Sequence, residues 1–256
     1  MPTKLSVNLN KVALLRNSRE TTIPSVVEAA KTAISAGAQG ITVHPRPDQR
    51  HIRPGDVEDL ARLLSDPAFA GIEFNIEGNP YAGPEANGFP GFMALVDASG
   101  PHQCTLVPDD PAQLTSDHGW DLLAHGNELK PIVDRLKDDG IRVSVFMDPV
   151  PEQIERAARL GVDRIELYTG PYAEAFGHHD EILGRFAEAA RVAGELGLGV
   201  NAGHDLNTDN LGEFCRAVPN VAEVSIGHAI IADALWYGLD PTVRRYREIL
   251  DAAGGA

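Results

Sequence analysis

The chain has 256 residues, 43% of them hydrophobic, and a formal net charge of −15, enough apolar material for one large core and the wrong charge for nucleic acid or an anionic membrane surface. No apolar stretch approaches the roughly 20 residues that a bilayer-spanning helix needs. The two cysteines, Cys104 and Cys215, sit far apart without ligand spacing, which suggests neither a disulfide framework nor a zinc site and reads most simply as two small buried apolar residues.

The first predicted strand, Leu5 to Asn10, closes on Asn8 and Asn10, with Lys11 directly behind. A helix follows over Ser25 to Ala36, opening behind a proline and stopping before Gly37. The second strand, Ile41 to His44, runs into a segment carrying Arg46, Arg50 and His51. The third, Ile72 to Glu77, is followed by Gly78 to Pro90, too rich in Gly and Pro for regular structure and expected as a long loop over the site. Strands four and five are predicted at Gln103 to Val107 and Ile141 to Phe146, then a helix at Glu152 to Leu160. The sixth strand, Arg164 to Tyr168, carries Glu166, and Thr169 to Asp180 reads as a second lid-like loop. After a helix at Leu183 to Leu196, strand seven (Leu198 to Asn201) opens into NAGH and strand eight (Glu223 to Ile226) into IGH.

The segments AGAQGITV, DDGIRVSV, LGVDRIEL and LGLGVNAG repeat one join, helix then glycine then strand. Eight short apolar runs alternating with helices are the count of a (β/α)8 barrel, taken as one domain over residues 1–256, although an open doubly wound sheet gives the same local pattern. In a closed parallel barrel all strand carboxyl ends share one rim, so the polar endings would meet around one cavity.

Each ending suits proton transfer or anion binding. His44 lies on its strand and is the better catalytic candidate, while Arg46 and His51 suit a phosphate. Glu77, at the mouth of a barrel expected to be apolar, would be partly desolvated and usable as a general base. Glu73 has the same parity but lies deeper. Glu166 could orient a substrate or stabilise developing positive charge. Gly203 and Gly227 let backbone approach a phosphate at strands seven and eight, with His204 and His228 as acid or ligand groups. Histidines and glutamates could bind zinc or manganese, but no HxH or HExxH spacing occurs and no metal is expected. His118, His125, His178 and His179 receive no role.

Taken together, VNLNKVALLRNSR, GITVHPRPDQRHI, FNIEG, QCTLVPDDPAQLTSDHGWD, IELYTGPYA, VNAGH and VSIGHAIIADAL resemble the pyridoxine 5′-phosphate synthase family over nearly the whole chain. The resemblance implies a barrel enzyme that condenses 1-deoxy-D-xylulose 5-phosphate with 3-amino-2-oxopropyl phosphate into pyridoxine 5′-phosphate, phosphate and water, without a cofactor. It implies His44 and Glu77 as general bases, His204 as general acid and Glu166 as transition-state stabiliser. Asn8, Arg19, Gly227 and His228 would bind the amino-ketone phosphate, and Arg46, His51 and Thr115 the deoxyxylulose phosphate. It also implies a homo-octamer.

Asn10 and Lys11 replace Asp and His of the family's best-known form, and Asp205 replaces glycine. Asn10 keeps a hydrogen bond for a sugar hydroxyl and Lys11 a charge for a phosphate, whereas Asp205 would have to turn its side chain away and bind through its backbone. Competing readings are a metal-dependent isomerase, an aldolase using Lys11, and a phosphate-ligand binding protein without catalysis. The amino terminus shows no secretion signal, and a cytoplasmic location is expected.

Overall fold

Eight parallel strands pair in chain order and close on themselves: β1 (Lys4–Asn8), β2 (Gly40–Val43), β3 (Glu73–Gly78), β4 (Gln103–Leu106), β5 (Arg142–Met147), β6 (Arg164–Leu167), β7 (Gly199–Ala202) and β8 (Val221–Ile226). This computed structural model describes residues 2–19, 21–110, 112–178 and 180–254, so His179 lies outside the described residues. The closed barrel removes the open-sheet alternative.

Eight helices cover the outside: α2 (Val26–Ser35), α3 (Pro54–Leu64), α4 (Phe92–Ser99), α5 (Leu122–Asp138), α6 (Pro151–Leu160), α8 (Asp180–Glu195), α9 (Leu211–Ala217) and α11 (Leu239–Gly254). Three further helices, α1 (Asn10–Asn17), α7 (Gly170–Ala175) and α10 (His228–Tyr237), follow β1, β6 and β8 directly and sit on the rim. Local chemistry sets their bounds. Ser25 caps α2 by accepting from Glu28 N–H at 3.2 Å, and Pro151 sits in the first turn of α6. The four helix–glycine–strand joins all turn at a glycine with positive φ: Gly37, Gly140, Gly161 and Gly197.

The interior of the barrel corrects one expectation. Along each strand apolar residues alternate with polar ones, and the apolar set faces the helices. Val7, Ile41, Ile76, Val143, Val145, Ile165, Val200 and Ile226 are buried in one cluster with Ala30, Leu60, Leu129, Ile154, Phe186 and Phe214 of the surrounding helices, each such side chain being worth about 1.5–3 kcal/mol when fully buried. The other parity points into the bore and is polar. Thr105 of β4 reaches Asn75 at 3.1 Å and Glu166 at 3.5 Å, Asn201 of β7 reaches Gln103 at 3.5 Å, and Ser6 meets Thr42 at 2.7 Å. These strands are therefore not the continuous apolar runs of a doubly buried parallel sheet. A register shift at Val200/Asn201 pairs Val221 with Val200 and Glu223 with Asn201, and this bulge keeps Glu223 and Ser225 on the inner face.

At the amino-terminal floor Arg142 pairs with Glu73 and donates to Gln103 at 2.8 Å, while Arg164 donates to Asn201 at 2.9 Å and faces Glu223 at 3.9 Å. Burial pushes Glu73 up, but the Arg142 hydrogen bond and charge override it and hold the carboxyl below its usual range. Burial and the neighbouring Glu73 push Glu223 up to about 8. Glu73 is thus a floor residue away from the rim.

Two element bounds also change. The first strand ends at Asn8 rather than Asn10, because the Asn8 side chain accepts from Asn10 N–H at 3.0 Å and turns the chain into α1. The expected loop over Thr169–Asp180 contains α7, where a proline occupies the first turn and Ala173 N–H bonds Thr169 O at 3.0 Å. The segment after β3 is irregular as expected. Cys104 is buried as expected, whereas Cys215 is only partly buried.

Candidate active site

The polar strand ends open into one cavity of about 470 Å³ at the carboxyl-terminal rim. Asn8, Asn10, Lys11, His44, Arg46, His51, Glu77, Thr115, Glu166, His204, Asp205, Gly227 and His228 all line it. Arg19 does not. It is exposed on the turn after α1 and is absent from the cavity wall.

The wall is assembled by short-range bonds between rim elements. Asn10 Oδ1 accepts from His44 N–H at 2.9 Å, which ties the start of α1 to the end of β2. Asn8 donates from Nδ2 to Glu77 Oε2 at 3.3 Å across the mouth. Gly203, at φ 155°, lies so close to β8 that a Cβ there would come within 1.9 Å of Ser225 O, so only glycine lets the chain turn His204 over the cavity.

His44 stands between two carboxyl groups. Its Nδ1 is 4.0 Å from Glu77 Oε2 and its Nε2 is 3.8 Å from Asp109 Oδ2. Burial, reinforced by Arg46, Arg50 and His204, drives the imidazole down to about 3, so it is neutral with one unprotonated ring nitrogen. His51, buried and close to His44, Arg50, Arg46 and Lys11, is driven down to about 2. Its Nδ1 accepts from Ile52 N–H at 2.9 Å, which leaves the Nε2–H to face a ligand. Burial and the charges of Asp109 and Glu223 lift Glu77 to about 8. Glu166 is raised well above the carboxylate range by burial and by Glu77.

Cationic groups gather on one side. Arg46 forms a buried ion pair with Asp109 and donates to the backbone oxygens of Asp110 at 2.9 Å and Gln113 at 3.0 Å. Arg50 donates to Gln113 O at 3.0 Å and Leu114 O at 2.7 Å. The segment after β4 is thereby strapped over the arginines, and it delivers Thr115, whose Oγ1 lies 2.9 Å from His204 Nε2. Lys11 is lowered by burial and by Arg50. The amino end of α10 also meets the cavity, through His228, and the N–H groups of a helix start suit an anion. A positive pocket is thus built inside an acidic protein. Among the described residues no three His, Cys, Asp or Glu side chains converge as a metal-ligand group.

A family model, described as pyridoxal phosphate biosynthesis protein PdxJ, matches residues 5–252. The chain belongs to the PdxJ family. A curated relative from Xylella fastidiosa (strain 9a5c) named pyridoxine 5′-phosphate synthase is 56% identical over 258 residues, covering 99% of this chain and 97% of its own. One of the same name from Xanthomonas campestris pv. campestris (strain B100) is 56% identical over 259 residues, covering 100% and 98%. Among solved structures that share the barrel, 3-keto-L-gulonate-6-phosphate decarboxylase from Vibrio cholerae has a TM-score of 0.65 at 12% identity, covering 98% of this chain and 99% of its own. Tryptophan synthase from M. tuberculosis has a TM-score of 0.62 at 14% identity, covering 98% and 92%.

Residues outside the expected set complete the wall of this PdxJ cavity. Ser116, Thr105, Phe146 and Asn207 line it, and Asp109 stands behind it, 3.8 Å from His44 Nε2 and accepting from Ser116 Oγ at 2.9 Å. Asp109 is 5% exposed, yet nothing in VPDD distinguishes it from Asp110, and its partner Arg46 is 63 residues away in the chain. Thr105 carried a usable signal, since it shares the inward parity of Gln103 on β4.

Proposed function

We propose that this PdxJ chain is a pyridoxine 5′-phosphate synthase, joining 1-deoxy-D-xylulose 5-phosphate and 3-amino-2-oxopropyl phosphate and releasing phosphate and water. The observation that carries the reading is the pairing of neutral His44 with Glu77, the latter shifted to about 8, at 4.0 Å in one cation-lined cavity of about 470 Å³. Imine formation, enolisation, phosphate elimination, hydration and ring closure are all proton transfers, and groups whose affinities for a proton are pushed apart suit them. His44 takes a proton as a base. Glu77 takes and returns protons close to neutral pH, and buried Glu166, raised in the same way, gives up its proton as positive charge develops beside it and then stabilises that charge. His204, on the opposite wall, serves as the acid.

Arg46, His51 and Thr115 hold the deoxyxylulose phosphate, with Asn10 on a sugar hydroxyl and Lys11 adding charge. The α10 start at Gly227 and His228, with Asn8, holds the amino-ketone phosphate. Arg19 joins that site only if its turn folds toward the cavity, directly or from a neighbouring copy. Among the described residues no helix is long and apolar enough to cross a membrane, and we infer a cytoplasmic homo-octamer, for which exposed Leu235, Trp236 and Tyr237 at the end of α10 offer contact surface.

The test is release of inorganic phosphate by purified protein given both substrates together and each alone. Release that requires both supports the reading; release from either one alone overturns it. The lowered Lys11 amine favours one second reading, a Schiff-base aldolase. Borohydride trapping of a ketose phosphate on Lys11 would establish it.

A further inference from the structure

We propose that Asp205 is the positioning residue that fixes the tautomer and aim of His204. The inference rests on the reading of His204 as the acid of the synthase. Asp205 Oδ2 lies 2.7 Å from His204 Nδ1, within hydrogen-bond reach. The opposite nitrogen, Nε2, faces the cavity and meets Thr115 Oγ1 at 2.9 Å. A carboxylate can only accept, so Nδ1 must carry a proton, and Nε2 is left as the nitrogen that exchanges protons with a substrate.

The surroundings hold this arrangement. Asp205 N–H donates to Thr169 Oγ1 at 3.1 Å, at the start of α7, and Asp205 O accepts from Asn210 Nδ2 at 3.4 Å. Both backbone groups are therefore occupied within the protein, and the side chain is the part turned toward the site. Tyr168 stands edge-on to the His204 ring at a centroid distance of 5.8 Å, and Phe146 is tilted against it at 6.3 Å. The titratable groups facing His204 are Asp205 from its own loop, Tyr168 from the end of β6 and His44 from the end of β2. Neither of the last two makes a hydrogen bond that could set the tautomer in place of Asp205.

In the acid step protonated His204 gives the Nε2 proton to a departing oxygen, which keeps the electron pair of the breaking C–O bond, while a C–H bond on the neighbouring carbon gives its proton to a base of the site and its electron pair to the new C=C bond. Neutral imidazole remains with its Nδ1–H on Asp205, and solvent restores the lost proton. Asp205 therefore does not need to contact a phosphate, and its negative charge is spent on the histidine.

The experiment combines nitrogen-15 histidine spectroscopy of the full chain with turnover of the wild type, Asp205→Asn and Asp205→Ala, the His204 signal being assigned by its loss in His204→Gln. Neutral wild-type His204 is expected as the Nδ1–H form with bare Nε2. Asp205→Asn, whose amide donates to Nδ1, should move it toward the Nε2–H form. In Asp205→Ala kcat should drop by about tenfold or more with each KM within roughly twofold. A wild-type His204 protonated on Nε2, or an Asp205→Ala protein with wild-type kcat, overturns the proposal. If the wild type makes no product from the two substrates, the synthase reading fails, and the nitrogen spectrum still decides the Asp205 pairing.

Discussion

Arg46 and Asp109 form an ion pair in which the side chains are only 4% and 5% exposed. The same Asp109 oxygen accepts from Ser116 Oγ at 2.9 Å and lies 3.8 Å from His44 Nε2. One carboxylate thus joins the loop after β4 to His44 and Arg46 beyond β2.

Asp109→Ala should therefore strand a buried guanidinium. The expected loss is about 3–5 kcal/mol of stability, read as a lower urea midpoint with an unchanged slope. An unaltered midpoint would show that Arg46 is satisfied without Asp109.

Stability should peak in mildly acid solution. His44 and His51 fall from 6.5 to about 3 and about 2 on folding, so the unfolded chain binds more protons and stability is lost as pH drops below 6.5. Glu77 and Glu223 rise from 4.5 to about 8, so their contribution is full below 4.5 and disappears as pH rises through 8. The two trends oppose each other between 4.5 and 6.5, and only the carboxyls act from 6.5 to 8. Each group changes stability by up to about 1.4 kcal/mol per pH unit. Urea unfolding at pH 5.5, 6.5 and 8 checks the sign, and a protein more stable at 8 than at 6.5 would contradict it.

Glu77→Gln keeps the neutral shape but cannot exchange the proton. Turnover should fall by roughly 10²–10⁴-fold while ligand affinity persists, and the alkaline loss of stability should become shallower. Turnover close to wild type would remove Glu77 from the chemistry.

Gly203→Ala should be destabilising at a site that makes no side-chain contact. The added methyl would meet Ser225 O at 1.9 Å, so β7 must separate from β8 and His204 must move with it. A loss of at least about 2 kcal/mol, typical of overpacking with backbone strain, together with reduced kcat, is expected from urea unfolding and steady-state rates. A fully stable, fully active Gly203→Ala would refute the close approach.

Arg142→Met leaves Glu73 on the floor of the bore without its cation. Because Arg142 is 29% exposed, the cost should be on the order of 2 kcal/mol, below that of a fully buried pair. Adding Glu73→Gln should recover most of it in a double-mutant cycle, and independent, additive losses would deny the coupling.

Much of this architecture could be read from the chain because its signals are local. The glycine joins, proline helix starts and spacing of apolar runs each depend on neighbours a few residues apart, and their number fits a barrel, while closure itself is shown by the pairing of β1 with β8. His44, Glu77, Glu166 and His204 were legible because each stands at a strand end, which topology alone brings to one rim. Asp109 was not, since its importance comes from Arg46 and His44 on another strand's loop. The polar bore was hidden for a related reason: Asn75, Thr105 and Ser144 are ordinary strand residues until closure turns one parity toward a shared axis. Asn10 was assigned to a strand because apolar pattern outweighed the asparagine turn at Asn8.

The alternation of the strands has a consequence for how the molecule assembles. A strand that zipped up one residue out of step would thrust its glutamate, arginine or asparagine at the greasy inner sides of the helices and leave leucine or isoleucine in the wet hollow. Every such one-residue slip is thus penalised twice, and the hydrophilic bore proofreads the closure on which the catalytic rim depends.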